Sequence, residues 1–269
     1  MSLFTLSHGS AGERIAFLHG LFGQGRNWMQ IAKALAGPDG DQARCLLIDL
    51  PDHGRSPRSD RFSYPAYADA IGRTLADWSG GEPVTLAGHS LGGKVAMLSA
   101  LAHPDRIGKL AVVDIAPKSY GSLAHFDGYI AGMRMLRLDD LATRAEADAR
   151  FAEVEPDQSI RAFLLQNLRR SSNGWRWQAN LDLIAADAAR GDRSRIADFP
   201  VAAGDYPAYE GKVVWIAGGE SRYIKPEDSA TMRALFPQVR KVTIKGAGHW
   251  VHTDAPEVVV ETLTRLLQA

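Results

Sequence analysis

Strand-like and helix-like patterns alternate along the first part of the chain. Short, almost unbroken apolar runs at residues 3–8, 14–18, 45–50, 84–87 and 109–116 predict strands, the first of them at a sheet edge. Between them, residues 27–35, 64–78 and 94–102 carry apolar positions at helical spacing, as at Trp28, Ile31, Ala32 and Leu35. Turn-forming stretches separate the runs: Pro51-Asp52-His53-Gly54-Arg55-Ser56-Pro57, Gly80-Gly81-Glu82-Pro83 and Pro104. A parallel sheet with helical crossovers requires this alternation.

The alternation stops near residue 120, and from there to about 209 no strand is expected. Met133, Leu136, Leu138 and Leu141 predict one helix, and Ile160, Phe163, Leu164 and Leu168 another. Trp175-Arg176-Trp177 and an apolar run at 181–189 follow. The first pattern then returns, with strands at 213–217 and 239–244, a helix at 226–235, and a last helix opened by Ala255-Pro256-Glu257. The expected class is α/β: a mostly parallel central sheet flanked by helices, built from residues 1–118 and 210–269. A helical lid, residues 119–209, is inserted after the sixth strand. An insertion of about 90 residues is too long for a structureless loop. At that point it sits over the carboxyl ends of the strands, where open α/β sheets bind ligands.

Composition narrows the partners more than the chemistry. Lys plus Arg and Asp plus Glu are balanced at 31 each, so no net field draws the chain to nucleic acid or an anionic membrane. No apolar run approaches the ~18 residues of a membrane span. Residues 1–14 lack the basic-then-apolar pattern of a secretory signal. The single cysteine, Cys45, lies within a strand-like run and has no partner for an internal disulfide. A cytoplasmic monomer or homodimer is expected. H-E-x-x-H, paired C-x-x-C and dinucleotide fingerprints do not occur, so neither a metal nor an organic cofactor is expected.

Candidate chemistry gathers at Gly88-His89-Ser90-Leu91-Gly92-Gly93, between a strand-like run and a helix-like one. Gly88, Ser90 and Gly92 match the G-x-S-x-G elbow, in which a serine sits on a tight strand-to-helix turn with its hydroxyl clear of the backbone. A serine nucleophile needs a base. Among eight histidines, His249 in Gly246-Ala247-Gly248-His249-Trp250 follows a strand and precedes the last helix, the base's place in the chain order serine, acid, histidine. His19, His53, His89 and His252 read as local packing or turn residues. The amides of Leu91 and Leu21, or of Phe22 in place of Leu21, are candidate oxyanion donors. Phe22, Leu91, Met133, Leu136 and Trp250 are candidates to line an apolar substrate pocket.

These stretches, with Asp49-Leu50-Pro51-Asp52-His53-Gly54-Arg55-Ser56 and Val113-Asp114-Ile115-Ala116-Pro117, resemble the α/β-hydrolase superfamily along the whole chain. Within it they resemble small bacterial carboxylesterases with a helical cap. The resemblance implies a serine hydrolase with Ser90 as nucleophile and His249 as base, and a small-molecule ester or thioester as substrate. Perhydrolase, C–C bond hydrolase and amidase chemistry stay open, as does a small-molecule receptor that keeps the pocket. The acid departs from the family pattern. Where many members carry Gly-x-x-Asp after the strand at 213–217, the aspartate position holds Ser221, and Glu220 is one residue out of step. The family's other placement, at the end of the preceding strand, is Asp114. Asp114 is therefore the expected acid, and Glu220 the alternative.

Overall fold

The computed structural model describes residues 2–172, 174–202 and 204–269; residues 1, 173 and 203, assigned from sequence to the sheet domain and the lid, lie outside that set. The chain runs β1 (Thr5–His8), β2 (Glu13–Leu18), α1 (Met29–Ala36), β3 (Ala43–Ile48), α2 (Tyr64–Ser79), β4 (Val84–His89), α3 (Leu91–Ala102) and β5 (Ile107–Val113). Then come α4 (Asp127–Met135), α5 (Arg144–Phe151), α6 (Gln158–Leu165), β6 (Leu168–Ser171), β7 (Gly174–Trp177) and α7 (Leu181–Ala188). It ends with β8 (Lys212–Gly218), α8 (Asp228–Leu235), β9 (Val239–Ile244), α9 (Val251–Asp254) and α10 (Pro256–Gln268).

Seven strands form one sheet in the order β1-β3-β2-β4-β5-β8-β9. Every pairing is parallel except β1 with β3 at the edge. Successive strand residues point to opposite faces, so the near-continuous apolar runs feed two cores. Ile15, Phe17, Cys45, Leu47, Ala111 and Val113 pack on one side beneath α1 and α10. Ala16, Leu18, Leu46, Ile48, Leu86 and Leu110 pack on the other beneath α2 and α3. Burial on both faces explains why these strands do not alternate polar with apolar. Local signals set the ends: the Ser63 hydroxyl accepts from the Ala66 N–H at 3.4 Å at the start of α2, and Gly80 stops that helix at φ 71°. No helix among the described residues is long and apolar enough to cross a membrane.

The insertion differs from its expected form in three ways. It leaves the sheet after the fifth strand in the chain, β5, rather than after a sixth. It is not purely helical: β6 and β7 pair as an antiparallel hairpin, with Leu168 opposite Trp177 and Arg170 opposite Trp175. The Trp-Arg-Trp stretch is thus a strand, and Leu168 belongs to its partner rather than to a helix. The stripe from Met133 to Leu141 is also broken, since α4 ends at Met135 and a separate 3-10 turn covers Leu138–Asp140. Helical spacing alone does not show that a turn interrupts the stripe.

The elbow explains its glycines by contact. A Cβ on Gly88 would lie 2.2 Å from the Gly92 carbonyl oxygen, and one on Gly92 would lie 2.6 Å from the carbonyl oxygens of Leu18 and His19. Both obstacles are backbone, which does not swing aside. Gly88→Ala is therefore expected to lose ~1–3 kcal/mol of stability, the range for overpacking, read as a lower urea midpoint at constant m-value. An unchanged midpoint would contradict the close approach of β4 to α3.

Candidate active site

Non-glycine residues with positive φ are confined, among the described residues, to Phe22, Asp52, Ser90 and Asp114. They follow β2, β3, β4 and β5 in turn, so four neighbouring strands end in left-handed backbone on the same rim. Such residues cost on the order of 1–3 kcal/mol each and persist only where their surroundings hold them. Ser90, at φ 53° and ψ −118°, is held by its N–H donating to the Val113 carbonyl at 3.0 Å and by α3 starting at the next residue. That helix start directs backbone N–H groups and partial positive charge toward the space beside the serine.

Asp114 is fully buried and its carboxylate is enclosed by donors. Oδ1 accepts from the Gly218 N–H at 2.9 Å, and Oδ2 accepts from His249 Nδ1 at 2.7 Å and from the Ser221 hydroxyl. No Lys or Arg pairs with it among the described residues. With Nδ1 donating to the carboxylate, Nε2 is the ring nitrogen left to exchange a proton with a substrate or nucleophile. Tyr223 stacks on the His249 ring, with centroids 3.8 Å apart and 13° between planes, and donates or accepts a hydrogen bond at 2.6 Å with His125 Nε2. Beneath, His89 Nε2 donates to the His249 carbonyl at 2.8 Å. Ser221 thus fills the usual aspartate position as a hydroxyl that serves Asp114. Glu220 is exposed and its N–H is tied to the Ala247 carbonyl at 2.9 Å.

The other histidines around this rim are neutral by burial. Desolvation takes His19 down to about 3, helped by His53, and takes His252 down to about 4, helped by His249. His89 is pushed well below its ordinary value by burial first and by His249 and His252 next. Neutrality fixes the tautomer of His19: Nε2 accepts from the Leu50 N–H at 3.0 Å, so Nδ1–H donates to the Gly20 carbonyl at 2.8 Å. His19 therefore ties the glycine loop after β2 to the loop after β3.

Two cavities meet at Ser90. One is bounded by Ser90, His249, Phe22, Trp250 and an aromatic and aliphatic wall from the insertion: Phe126, Tyr129, Ile160 and Phe163. The other shares Ser90, Leu21 and Phe126 and adds Leu91, Lys94, Tyr120 and Tyr223. Sequence reasoning brought Ser90, His249, Leu21, Phe22, Leu91 and Trp250 to these walls, with Asp114 directly behind His249. Met133 and Leu136 are not on either wall; both are buried within the insertion's own packing. The stripe holding them is core, and the insertion residues facing the cavity come from the 3-10 turn before α4 (Phe126), the first turn of α4 (Tyr129) and α6 (Ile160 and Phe163). Tyr223, Ser221 and Lys94 were missed. Lys94 Nζ, drawn down to about 7 by burial, donates to the carbonyls of Ala197 at 2.5 Å and Asp198 at 2.7 Å. No sequence motif marks it, because its partners are backbone groups a hundred residues away.

A seven-stranded sheet with this elbow and this carboxylate–imidazole pair defines the α/β-hydrolase class. The family model described as alpha/beta hydrolase fold matches residues 13–256, and the chain belongs to that family and is a hydrolase. The sn-1-specific diacylglycerol lipase ABHD11 of Mus musculus is 36% identical over 257 residues, covering 94% of this chain and 80% of the relative. Esterase YbfF of Escherichia coli K12 is 33% identical over 256 residues, covering 94% of this chain and 92% of the relative. Among solved structures, one described as a marine microorganism esterase superposes with a TM-score of 0.90 at 31% identity, covering 98% of this chain and 99% of that one.

The buried histidines set a direction for stability against pH. Unfolded, His19, His89 and His252 titrate near 6.5; folded, all three stay neutral well below that. Below 6.5 the unfolded chain binds more protons, so stability falls as pH drops from about 6.5 toward 4. Between pH 7.5 and 5.5 the loss is expected to reach as much as about 4 kcal/mol for the three together, measured by urea unfolding at each pH. Equal stability at the two values would contradict neutral burial.

Proposed function

We propose that the protein hydrolyses carboxylic esters, thioesters included, through an acyl-enzyme on Ser90. One observation carries the reading: a buried carboxylate bonded at 2.7 Å to a histidine that shares one cavity with a serine on a strained strand-to-helix turn. That the relatives are named esterases and a lipase supports the same substrate class.

The geometry supports the following mechanism. His249 Nε2 takes the Ser90 proton as the hydroxyl oxygen attacks the acyl carbon, and Asp114 fixes the tautomer and stabilises the imidazolium that forms. The Leu91 N–H, at the start of α3, and the Leu21 N–H, in the loop after β2, hold the oxyanion. His249 then protonates the departing alcohol or thiol. Water enters by the same base and releases the acid. Asp114 is preferred over Glu220 because it reaches His249 Nδ1 from a buried, fully hydrogen-bonded position, whereas Glu220 is exposed. Residues 119–209 act as a cap over residues 1–118 and 210–269, contributing Phe126, Tyr129, Ile160 and Phe163 to the first cavity. Those side chains carry no charge, and the Lys94 ammonium in the second cavity is engaged by backbone carbonyls. Neutral esters of short to medium acyl chain are the fitting substrates, acted on in the cytoplasm by a monomer or homodimer.

Ser90→Ala is expected to abolish turnover of p-nitrophenyl esters while keeping the fold, since alanine carries no larger side chain into the turn. Asp114→Asn should lower kcat by ~10⁴, the scale for losing a triad aspartate, and Glu220→Gln by less than tenfold, under ~1.4 kcal/mol of barrier. Steady-state kinetics on the three purified variants decide. Turnover retained in Ser90→Ala would sink the serine mechanism, and reversal of the other two results would move the acid to Glu220. A substrate series comparing neutral with anionic acyl groups checks the cavity: a higher kcat/KM for the anionic ones would contradict an uncharged wall.

A further inference from the structure

The loop that carries Leu21 is not held by the sheet alone. Phe22, at φ 61°, is fully buried, and its carbonyl accepts hydrogen bonds from Asn167 Nδ2 at 2.8 Å and Gln166 Nε2 at 3.3 Å. Both donors belong to the insertion, between α6 and β6. They are part of an amide cluster that crosses from insertion to sheet domain. Asn27 Nδ2 donates to Gln166 Oε1 at 2.9 Å, and Gln24 Nε2 donates to the Gln166 carbonyl at 3.2 Å. Asn167 is itself fully buried, and its carbonyl accepts from the Gln178 N–H at 2.7 Å after β7. The Phe22 ring meets Phe126 of the insertion edge-on at 6.1 Å. On its other side the loop is closed by the Gly23 N–H donating to the Gly20 carbonyl at 2.9 Å.

An amide donor on a carbonyl fixes the plane of that peptide, and with it the turn whose N–H groups lie one and two residues earlier. A left-handed, non-glycine residue at this turn has no reason to stay there without such a hold. All the cluster's side chains are neutral amides, so the hold does not titrate as the surrounding histidines do.

We infer that Asn167, assisted by Gln166, is a positioning residue for the oxyanion hole: by pinning the Phe22 carbonyl it sets the direction of the Leu21 amide, so the hole is complete only when the insertion is seated on the sheet domain. The inference rests on the acyl-enzyme reading above, with Leu21 as an oxyanion donor. The insertion thus acts on the chemical step as well as on substrate fit, although neither amide touches the reacting atoms.

The test compares Asn167→Ala, Gln166→Leu and the unaltered enzyme with p-nitrophenyl butyrate and with an alkyl trifluoromethyl ketone, whose adduct on serine carries an oxyanion. Losing one oxyanion donor outright costs ~10²–10³ in kcat, so a misdirected one in Asn167→Ala should cost about tenfold or more, with KM within about twofold. The inhibition constant for the ketone should rise by a similar factor. Gln166→Leu, which keeps side-chain volume and loses the longer bond to Phe22 together with the bond from Asn27, should show the same pattern at smaller size, and it carries the test if Asn167→Ala does not fold. Unchanged kcat in the folded variants, a loss confined to KM, or lowered kcat with undiminished ketone affinity would each overturn the positioning role. Failure of the underlying reading is separate: it appears as turnover in Ser90→Ala, whatever the amide variants do.

Discussion

The site depends on what surrounds one buried carboxylate. A lone charge at Asp114's depth, with no cation beside it, would be expelled or neutralised at a cost of several kcal/mol. Here the charge is met by three donors from three different places: the end of β8, the turn after it, and the loop before α9. The same bonds that make the carboxylate tolerable fasten those three segments together. Holding the imidazole and holding the fold at this point are one set of interactions. Removing the charge therefore loosens the loop that carries His249 as well as altering its electrostatics.

Around that carboxylate, four parallel strands end in backbone that only glycine adopts freely, yet none of the four residues is glycine. Each needs a side chain in its place, and each is held by bonds from elsewhere. Asp52 accepts from Tyr67, Ser59 and Asn180 and joins α2 to the insertion. Ser90 is bonded to the end of β5, Asp114 to the β8 side, and Phe22 to the insertion. The insertion is thereby stitched to the rim by neutral amides, a buried lysine on backbone carbonyls, and a tyrosine hydroxyl on the Ile196 carbonyl. It closes the cavity while helping to hold the strained turns beneath it.

Much of this was legible in the sequence, for physical reasons. Doubly buried parallel strands write continuous apolar runs, which is why β2, β4 and β8 emerge close to their true bounds. The elbow is legible because its glycines are demanded by backbone contacts rather than by side-chain taste. Asp114 stands out in the sequence through the family resemblance, as the alternative acid placement where Ser221 occupies the usual aspartate position; that Ser221 donates to Asp114 depends on a side-chain rotamer no spacing reveals. The insertion was least legible. Its hairpin is four residues a side, too short for period-two alternation to stand out, and its apolar positions serve two masters. Met133 and Leu136 pack inward while Ile160 and Phe163 face the cavity, and helical spacing alone does not tell these apart. Gln166, Asn167 and Tyr223 belong to no motif; their roles arise from partners far away along the chain.

Trapping tests the covalent role of Ser90 most directly. The protein is mixed with a slowly released phosphonate ester, quenched, and its intact mass read, followed by peptide mapping. An acyl-enzyme at Ser90 predicts one adduct per chain, on the peptide carrying Gly88 to Gly93 and on the serine itself, formed more slowly when Asp114 is replaced by Asn. Time-dependent inactivation with no adduct on Ser90, or an adduct on another residue that Ser90→Ala still forms, would contradict it.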